Sequence, residues 1–181
     1  SQQVKSEMDY KKTLNLPRTD FPMKADLVTR EPERLRRWHS SRLYERIQER
    51  RVQVEKFVLH DGPPFANGDV HIGNALNKIL KDIIVKYQTL RGKSAPYVPG
   101  WDCHGLPIEF KVTQEMRKAG DTRSDPVAIR QACDAYARKY IDIQRTQFKR
   151  LGVLGDWDHP YLTLDKQYEA DELRLFAGIV E

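Results

Sequence analysis

One stretch constrains the fold of this 181-residue chain more than any other: residues 57–98 read as strand, glycine- and proline-rich loop, helix, strand. Phe57-Val58-Leu59-His60 is a short apolar run stopped by Asp61-Gly62-Pro63-Pro64, the pattern of a buried strand ending in a loop. From His71 to Arg91 the apolar residues Ile72, Leu76, Ile79, Leu80, Ile83, Tyr87 and Leu90 recur at helical spacing, and Gly92 supplies a stop. Ala95-Pro96-Tyr97-Val98 reads as a second strand, turned at Pro99-Gly100. Strands joined through a helix form a right-handed, parallel βαβ unit. Open parallel sheets hold ligands beyond the carboxyl ends of their strands, so chemistry is expected in the loops 61–74 and 99–109.

The flanking segments are helical. Pro17 and Pro22 interrupt residues 1–28, which read as an extended arm. Thr29 is the expected cap of a helix with Glu31, Pro32 and Glu33 in its first turn, and His39-Ser40-Ser41 breaks the apolar set Leu35, Trp38, Leu43, Tyr44 and Ile47 into two short helices. Asp125-Pro126 opens a long helix whose stripe Ile129, Cys133, Tyr136, Tyr140, Ile143, Phe148 and Leu151 runs to Gly152. A further helix is expected from near Asp165 and is still running at Glu181. The expected division is an arm with helices over 1–56 and an α/β part over 57–181.

Composition excludes several classes. No run approaches the ~18 apolar residues of a membrane span, and the first 25 residues lack the apolar stretch of a signal peptide. Glu7, Asp9 and Asp20 argue against a transit peptide. Cys103 and Cys133 make neither a disulfide framework nor a zinc spacing, so a reducing cytoplasm is the expected compartment, with a mitochondrial matrix as the alternative. Charge is uneven: fourteen basic and nine acidic side chains over 1–56, near balance over 57–114, nine and four over 117–150, and an acidic end. Two basic stretches suit a polyanion such as RNA, and equally are what solvated helical faces look like.

Both loops are dense in special residues. The first, Gly62 to Asn74, ends at a helix N-terminus, whose unpaired N–H groups suit a phosphate. His71 and Asn74 share one face of its first turn, and Gly73 between them admits a close ligand; the other reading is that His71 caps the helix and Asn74 is a surface residue. The second loop, Pro99 to Glu109, carries Asp102, suited to an ammonium group, and His104, suited to a hydroxyl or phosphate. Cys103 beside His104 lacks the third, orienting partner of a nucleophile, and no further ligands close a metal site.

Together these residues resemble the class I aminoacyl-tRNA synthetases, and within them the isoleucyl branch. The family signature HIGH appears as His71-Ile72-Gly73-Asn74, set within a distinctive run from His60 to Glu109. Asp9 to Pro17 and Leu151 to Leu162 extend the resemblance over almost the whole chain. The resemblance implies the first half of a Rossmann-like (HUP-type) parallel-sheet nucleotide-binding domain, with a helical amino-terminal arm and an end before the editing insertion. The lysine loop, the second half of the fold and the anticodon-binding helices are not in this sequence. Valyl and leucyl relatives are the nearest alternatives, and a non-catalytic RNA-binding module is the alternative from another class.

The implied chemistry is activation of L-isoleucine by ATP with Mg²⁺ to isoleucyl-adenylate, then transfer to tRNA(Ile), by a monomeric parent; this chain alone is expected to be inactive. The substrate carboxylate attacks the α-phosphorus, so no protein nucleophile is needed. By carry-over, His71 and Asn74 are the catalytic pair; Phe65, Asn67, His71, Gly73 and Asn74 lie along ATP; Gly62, Pro63 and Asp102 hold the amino acid; and His104 and Glu109 support. No metal ligand is expected in this chain; any zinc belongs to the absent part. Asn74 stands where most of the family has His: an amide donates a hydrogen bond but is shorter and never cationic.

Overall fold

A computed structural model of the chain describes residues 9–121 and 125–180; residues 1–8 of the expected arm and Glu181 lie outside the described residues. After a single 3-10 turn at Tyr10–Thr13 come α1 (Leu27–Ser40), α2 (Leu43–Arg50), α3 (Ile72–Leu90), β1 (Gly100–Trp101), α4 (Leu106–Lys118), α5 (Pro126–Arg150), β2 (Tyr161–Leu162) and α6 (Lys166–Val180). The strands β1 and β2 pair in parallel, Gly100 with Tyr161 and Trp101 with Leu162, and two isolated parallel bridges join Lys56 to Ser94 and Phe65 to Asp102.

The pairing is parallel as the βαβ pattern predicts, but the strands are shorter and displaced. Residues 57–60 and 95–98 carry no ladder. Pro96 and Pro99 have no N–H to give, and Tyr97 spends its backbone elsewhere: its N–H donates to the Tyr44 hydroxyl at 3.0 Å and its carbonyl accepts from Asp156 N–H at 2.9 Å. Helix α1 begins at Leu27, not after Thr29. Asp26 takes the cap in a left-handed conformation (φ 44°), Thr29 donates its hydroxyl to the Asp26 carboxylate, and Pro32 lies inside the helix. The break before α2 falls where His39-Ser40-Ser41 places it, and α5 runs from Pro126 with the Asp125 carboxylate accepting from Val127 and Ala128 N–H.

Two larger corrections concern α3 and α4. Residues 106–109 are the first turn of α4 rather than loop, capped by Gly105 at φ 100° with Pro107 in the opening turn. Helix α3 has the expected length but turns its other face inward: it buries Lys78, Asp82 and Val85, while Ile72, Leu76, Leu80, Ile83, Tyr87 and Leu90 are exposed. Spacing identifies an amphipathic helix without saying which face has a partner in the same chain.

The core is aromatic and sits between α3, α4, α5 and the strands. Trp101, Tyr97, Phe148 and Ile108 are fully buried, with Val112, Ala137, Ile141 and Trp157 around them. Trp157 lies 6.0 Å from the Phe148 ring and 6.1 Å from that of Trp101. Among the described residues no helix is long and apolar enough to cross a membrane.

Where β1 meets β2 the backbone needs glycine. A Cβ on Gly100 would stand 2.0 Å from the Tyr161 ring, whereas one on Gly178 in α6 meets nothing within 4 Å. Gly100→Ala is expected to destabilise by about 1–3 kcal/mol through overpacking, and Gly178→Ala to stabilise by up to ~1 kcal/mol through helix propensity. Denaturant unfolding of both variants checks this; equal effects would contradict it.

Candidate active site

The first loop starts from a buried ion cluster. Asp61, its side chain inaccessible to solvent, takes Lys78 Nζ on Oδ2 and Lys81 Nζ on Oδ1 at 2.8 Å, while Gly100 N–H donates to Oδ2 at 3.1 Å. Its carbonyl accepts the Tyr161 hydroxyl. One residue thus joins α3, β1 and β2. Burial alone would raise the Asp61 carboxyl, but the Lys78 charge and the hydrogen bonds from Lys78, Lys81 and Gly100 outweigh it and hold the group below the usual carboxylate range. Two ammonium groups facing one carboxylate leave a net positive charge, which the Tyr97 hydroxyl at 3.3 Å and the Phe148 ring at 5.2 Å help to accommodate around Lys78. Burial pulls Lys78 below the usual ammonium range. The exposed Gly62 follows directly, and a Cβ there would stand 3.8 Å from Lys81 Nζ.

At the other end of the loop, His71 caps α3. Its Nδ1 accepts from Gly73 N–H at 3.0 Å and Asn74 N–H at 3.3 Å, and Asn74 Oδ1 accepts from His71 N–H at 3.3 Å, a reciprocal capping box. A neutral His71 therefore carries its proton on Nε2. The Asn74 NH₂ has no partner among the described residues. Gly73 has a reason nearer than any ligand: a Cβ there would lie 2.9 Å from His71 Cε1 and push the ring off its cap. The capping reading of His71 describes the helix as it stands, and Asn74 closes the box that a longer imidazole would not close in this way.

The two loops are stitched together between these ends. Ala66 N–H donates to the Asp102 carbonyl and Asp102 N–H to the Pro64 carbonyl, both at 2.9 Å, so Pro64, Phe65 and Asp102 are neighbours. The half-buried Asp102 carboxylate accepts His104 N–H at 3.3 Å and has no ion-pair partner among the described residues. Asn67 is held from two sides, its Oδ1 accepting the Tyr136 hydroxyl at 2.9 Å and its Nδ2 reaching the Pro107 carbonyl at 3.4 Å.

The side chains of His104 and Glu109 turn to another side, although the His104 backbone N–H bonds Asp102. His104 Nε2 is 3.1 Å from the Thr163 carbonyl and 3.4 Å from Glu169, an arrangement that suits an Nε2–H donor. His104 and Glu109 line a cavity of about 710 Å³ with Cys103, Ile129, Arg130 and Cys133. A second cavity, about 960 Å³, lies between α1, α2 and residues 146–159. Neither is lined by His71, Asn74, Asn67, Gly62, Pro63 or Asp102. Burial raises the Cys103 and Cys133 thiols, which disfavours a thiolate nucleophile. Among the described residues no group of three or more His, Cys, Asp or Glu is placed to hold a metal ion.

The residues that hold these loops from behind, Asp61, Lys78, Lys81 and Gln144, receive no role on sequence grounds. The available signals were an acid directly at a strand end and a glutamine spaced three and four from Ile141 and Phe148, both of which are buried.

A family model described as tRNA synthetases class I (I, L, M and V) matches residues 33–181. The chain belongs to the class I tRNA synthetases. It is 61% identical over 173 residues to the isoleucine–tRNA ligase of Saccharophagus degradans and 55% identical over 174 residues to that of Natranaerobius thermophilus, covering 96% of this chain in each case. It spans only 18% and 19% of those relatives' lengths. A crystal structure of a LeuRS–tRNA–LeuAMS ternary complex from Agrobacterium radiobacter matches at a TM-score of 0.65 and 23% identity, over 87% of this chain and 18% of that one. This likeness fits the first half of the Rossmann-like class I catalytic domain.

The buried cluster gives this synthetase domain a pH-dependent component of stability. Asp61 is depressed in the folded state, so its contribution is present above the unfolded carboxylate value of ~3.9 and is lost as pH falls through the folded value. Asp61→Asn leaves Lys78 buried without its counter-ion and is expected to cost about 3–5 kcal/mol at pH 7. The difference from the unsubstituted protein should shrink below pH ~4. Unfolding curves at pH 7 and pH 3 test this; a pH-independent difference would contradict it.

Proposed function

We propose that this chain, with residues 1–56 as arm and helices and 57–181 as α/β part, supplies the first half of the catalytic domain of a longer enzyme. That enzyme activates L-isoleucine with ATP·Mg²⁺ and passes the aminoacyl group to tRNA(Ile). The observation that carries the reading is the stitched pair of loops, which sets Asp102, without an ion-pair partner among the described residues, beside Pro64 and Phe65, with the α3 N-terminus closing the first loop. The 53–61% identity to isoleucine–tRNA ligases supports the choice of amino acid over valine or leucine. The exposed apolar face of α3 supports a second half that covers it.

In this reading Asp102 pairs with the isoleucine ammonium, while Gly62 and Pro63 form the edge of its pocket. Gly62 lacks a side chain and so leaves that edge open. The isoleucine carboxylate is the nucleophile, and the protein's task is to place it in line with the α-phosphorus and stabilise charge on the phosphate oxygens. His71 Nε2–H and the Asn74 NH₂ are the donors for that charge, with the positive end of α3 behind them. Mg²⁺ arrives with ATP as part of the substrate, and no side chain of this chain is assigned to it. His104 and Glu109 support the second loop from the side of the 710 Å³ cavity.

The test is isoleucine-dependent exchange of pyrophosphate into ATP by the full-length protein. Exchange driven by valine or leucine but not isoleucine would overturn the amino-acid assignment. Asp102→Asn is expected to raise the isoleucine KM by about 10-fold or more, the worth of a hydrogen bond to a charged group, and to leave the ATP KM near its original value. Asn74→Ala is expected to lower kcat by about 10²-fold with little change in either KM. An unchanged kcat would remove Asn74 from the reaction.

A further inference from the structure

We propose that Gln144, from the middle of α5, is a positioning residue that holds the ATP loop and the amino-acid loop in one register; the proposal rests on the function just given. Gln144 is 2% exposed and sits in a stripe with Ile141 and Phe148, where packing alone calls for an apolar side chain. A buried amide is costly unless it is hydrogen-bonded. This one is bonded wholly to the two loops: Oε1 accepts Trp101 Nε1–H at 2.9 Å, and Nε2 donates to the Phe65 carbonyl at 3.1 Å and the Gly68 carbonyl at 2.9 Å. Trp101 directly precedes Asp102. Phe65 and Gly68 flank Asn67. The amide therefore links the Trp101 indole of the second loop to the first-loop backbone beside the Phe65–Asp102 bridge.

Its neighbours on α5 do less. Tyr136 holds Asn67, and Gln147 takes Val70 N–H at 2.8 Å and donates to Asp69 at 2.6 Å; both serve the first loop. Gln144 joins the two. Loss of its amide leaves the Phe65 and Gly68 carbonyls and the Trp101 N–H without partners and frees each loop to shift against the other. Since in-line attack requires isoleucine and ATP to be placed together, a slip of about an ångström is expected to cost about 10²-fold in rate.

The experiment uses the full-length protein with Gln144→Met, which keeps the length of the side chain and removes its polar atoms. Hydrogen exchange should quicken over 64–70 and 100–104 while 76–90 keeps its rates, and kcat/KM in isoleucine-dependent exchange should fall about 10²-fold with both KM values raised. Trp101→Phe removes the donor to Oε1, together with part of a buried ring, and leaves Nε2 bonded to the first loop, so it should raise the isoleucine KM and spare that of ATP; it carries the test if Gln144→Met does not fold. Original kinetic constants in folded Gln144→Met, exchange quickened evenly along the chain, or a Trp101→Phe variant that changes both KM values alike would each overturn the proposal. If the unsubstituted protein shows no isoleucine-dependent exchange, the functional reading fails, while localised hydrogen exchange still reads the clamp.

Discussion

The structure depends on one buried carboxylate. Asp61 receives two lysines from α3, the N–H of Gly100 from β1 and, through its carbonyl, the hydroxyl of Tyr161 from β2. These groups come from positions 17 to 100 residues away, so the cluster fixes relations that the two-residue strands are too short to fix. A buried ion pair is weak evidence for stability because desolvation offsets its attraction. What it supplies here is geometry, since each partner must occupy one place or leave a charge or donor unsatisfied. Asp82 repeats the pattern lower on α3, accepting Lys86 Nζ and Leu154 N–H and so tying the helix to the segment after α5.

From that anchor the wall of the site is assembled by polar side chains rather than by the sheet. The loop from Gly62 to His71 is long and would be mobile if held only at its ends. It is instead bridged to the second loop at Phe65 and Asp102 and fastened to α5 by Tyr136, Gln144 and Gln147. In the proposed function, that backing is what would hold two substrates in one orientation. The exposed apolar residues of α3 and α6 carry the same message about what a longer chain would cover.

Helix positions were largely legible because caps and breakers act locally: Asp125-Pro126, Gly92 and the His39-Ser41 interruption fall where their chemistry places them. Strands were not, because proline and tertiary hydrogen bonds decided whether an extended run could form a ladder, as at 95–99. The orientation of α3 was hidden because its buried face is the charged one, and amphipathic spacing carries no sign. The His71–Asn74 signature and the loop carrying Asp102 stand out in the sequence because their residue types and order are distinctive, and the roles proposed for them come from the family resemblance. Asp61 and Gln144, which hold the loops around them, have partners far away in sequence, and no local pattern announces such contacts.

In the proposed function the stitched loops and the α3 N-terminus receive one aminoacyl-adenylate between them. A crystal structure of the full-length protein with a non-hydrolysable isoleucyl-adenylate analogue tests it most directly. The account predicts the analogue's ammonium within hydrogen-bond distance of Asp102 and its phosphate mimic within reach of His71 Nε2 and the Asn74 amide. An analogue seated in the 710 Å³ cavity beside Cys103 and Cys133, away from Asp102 and His71, would contradict it.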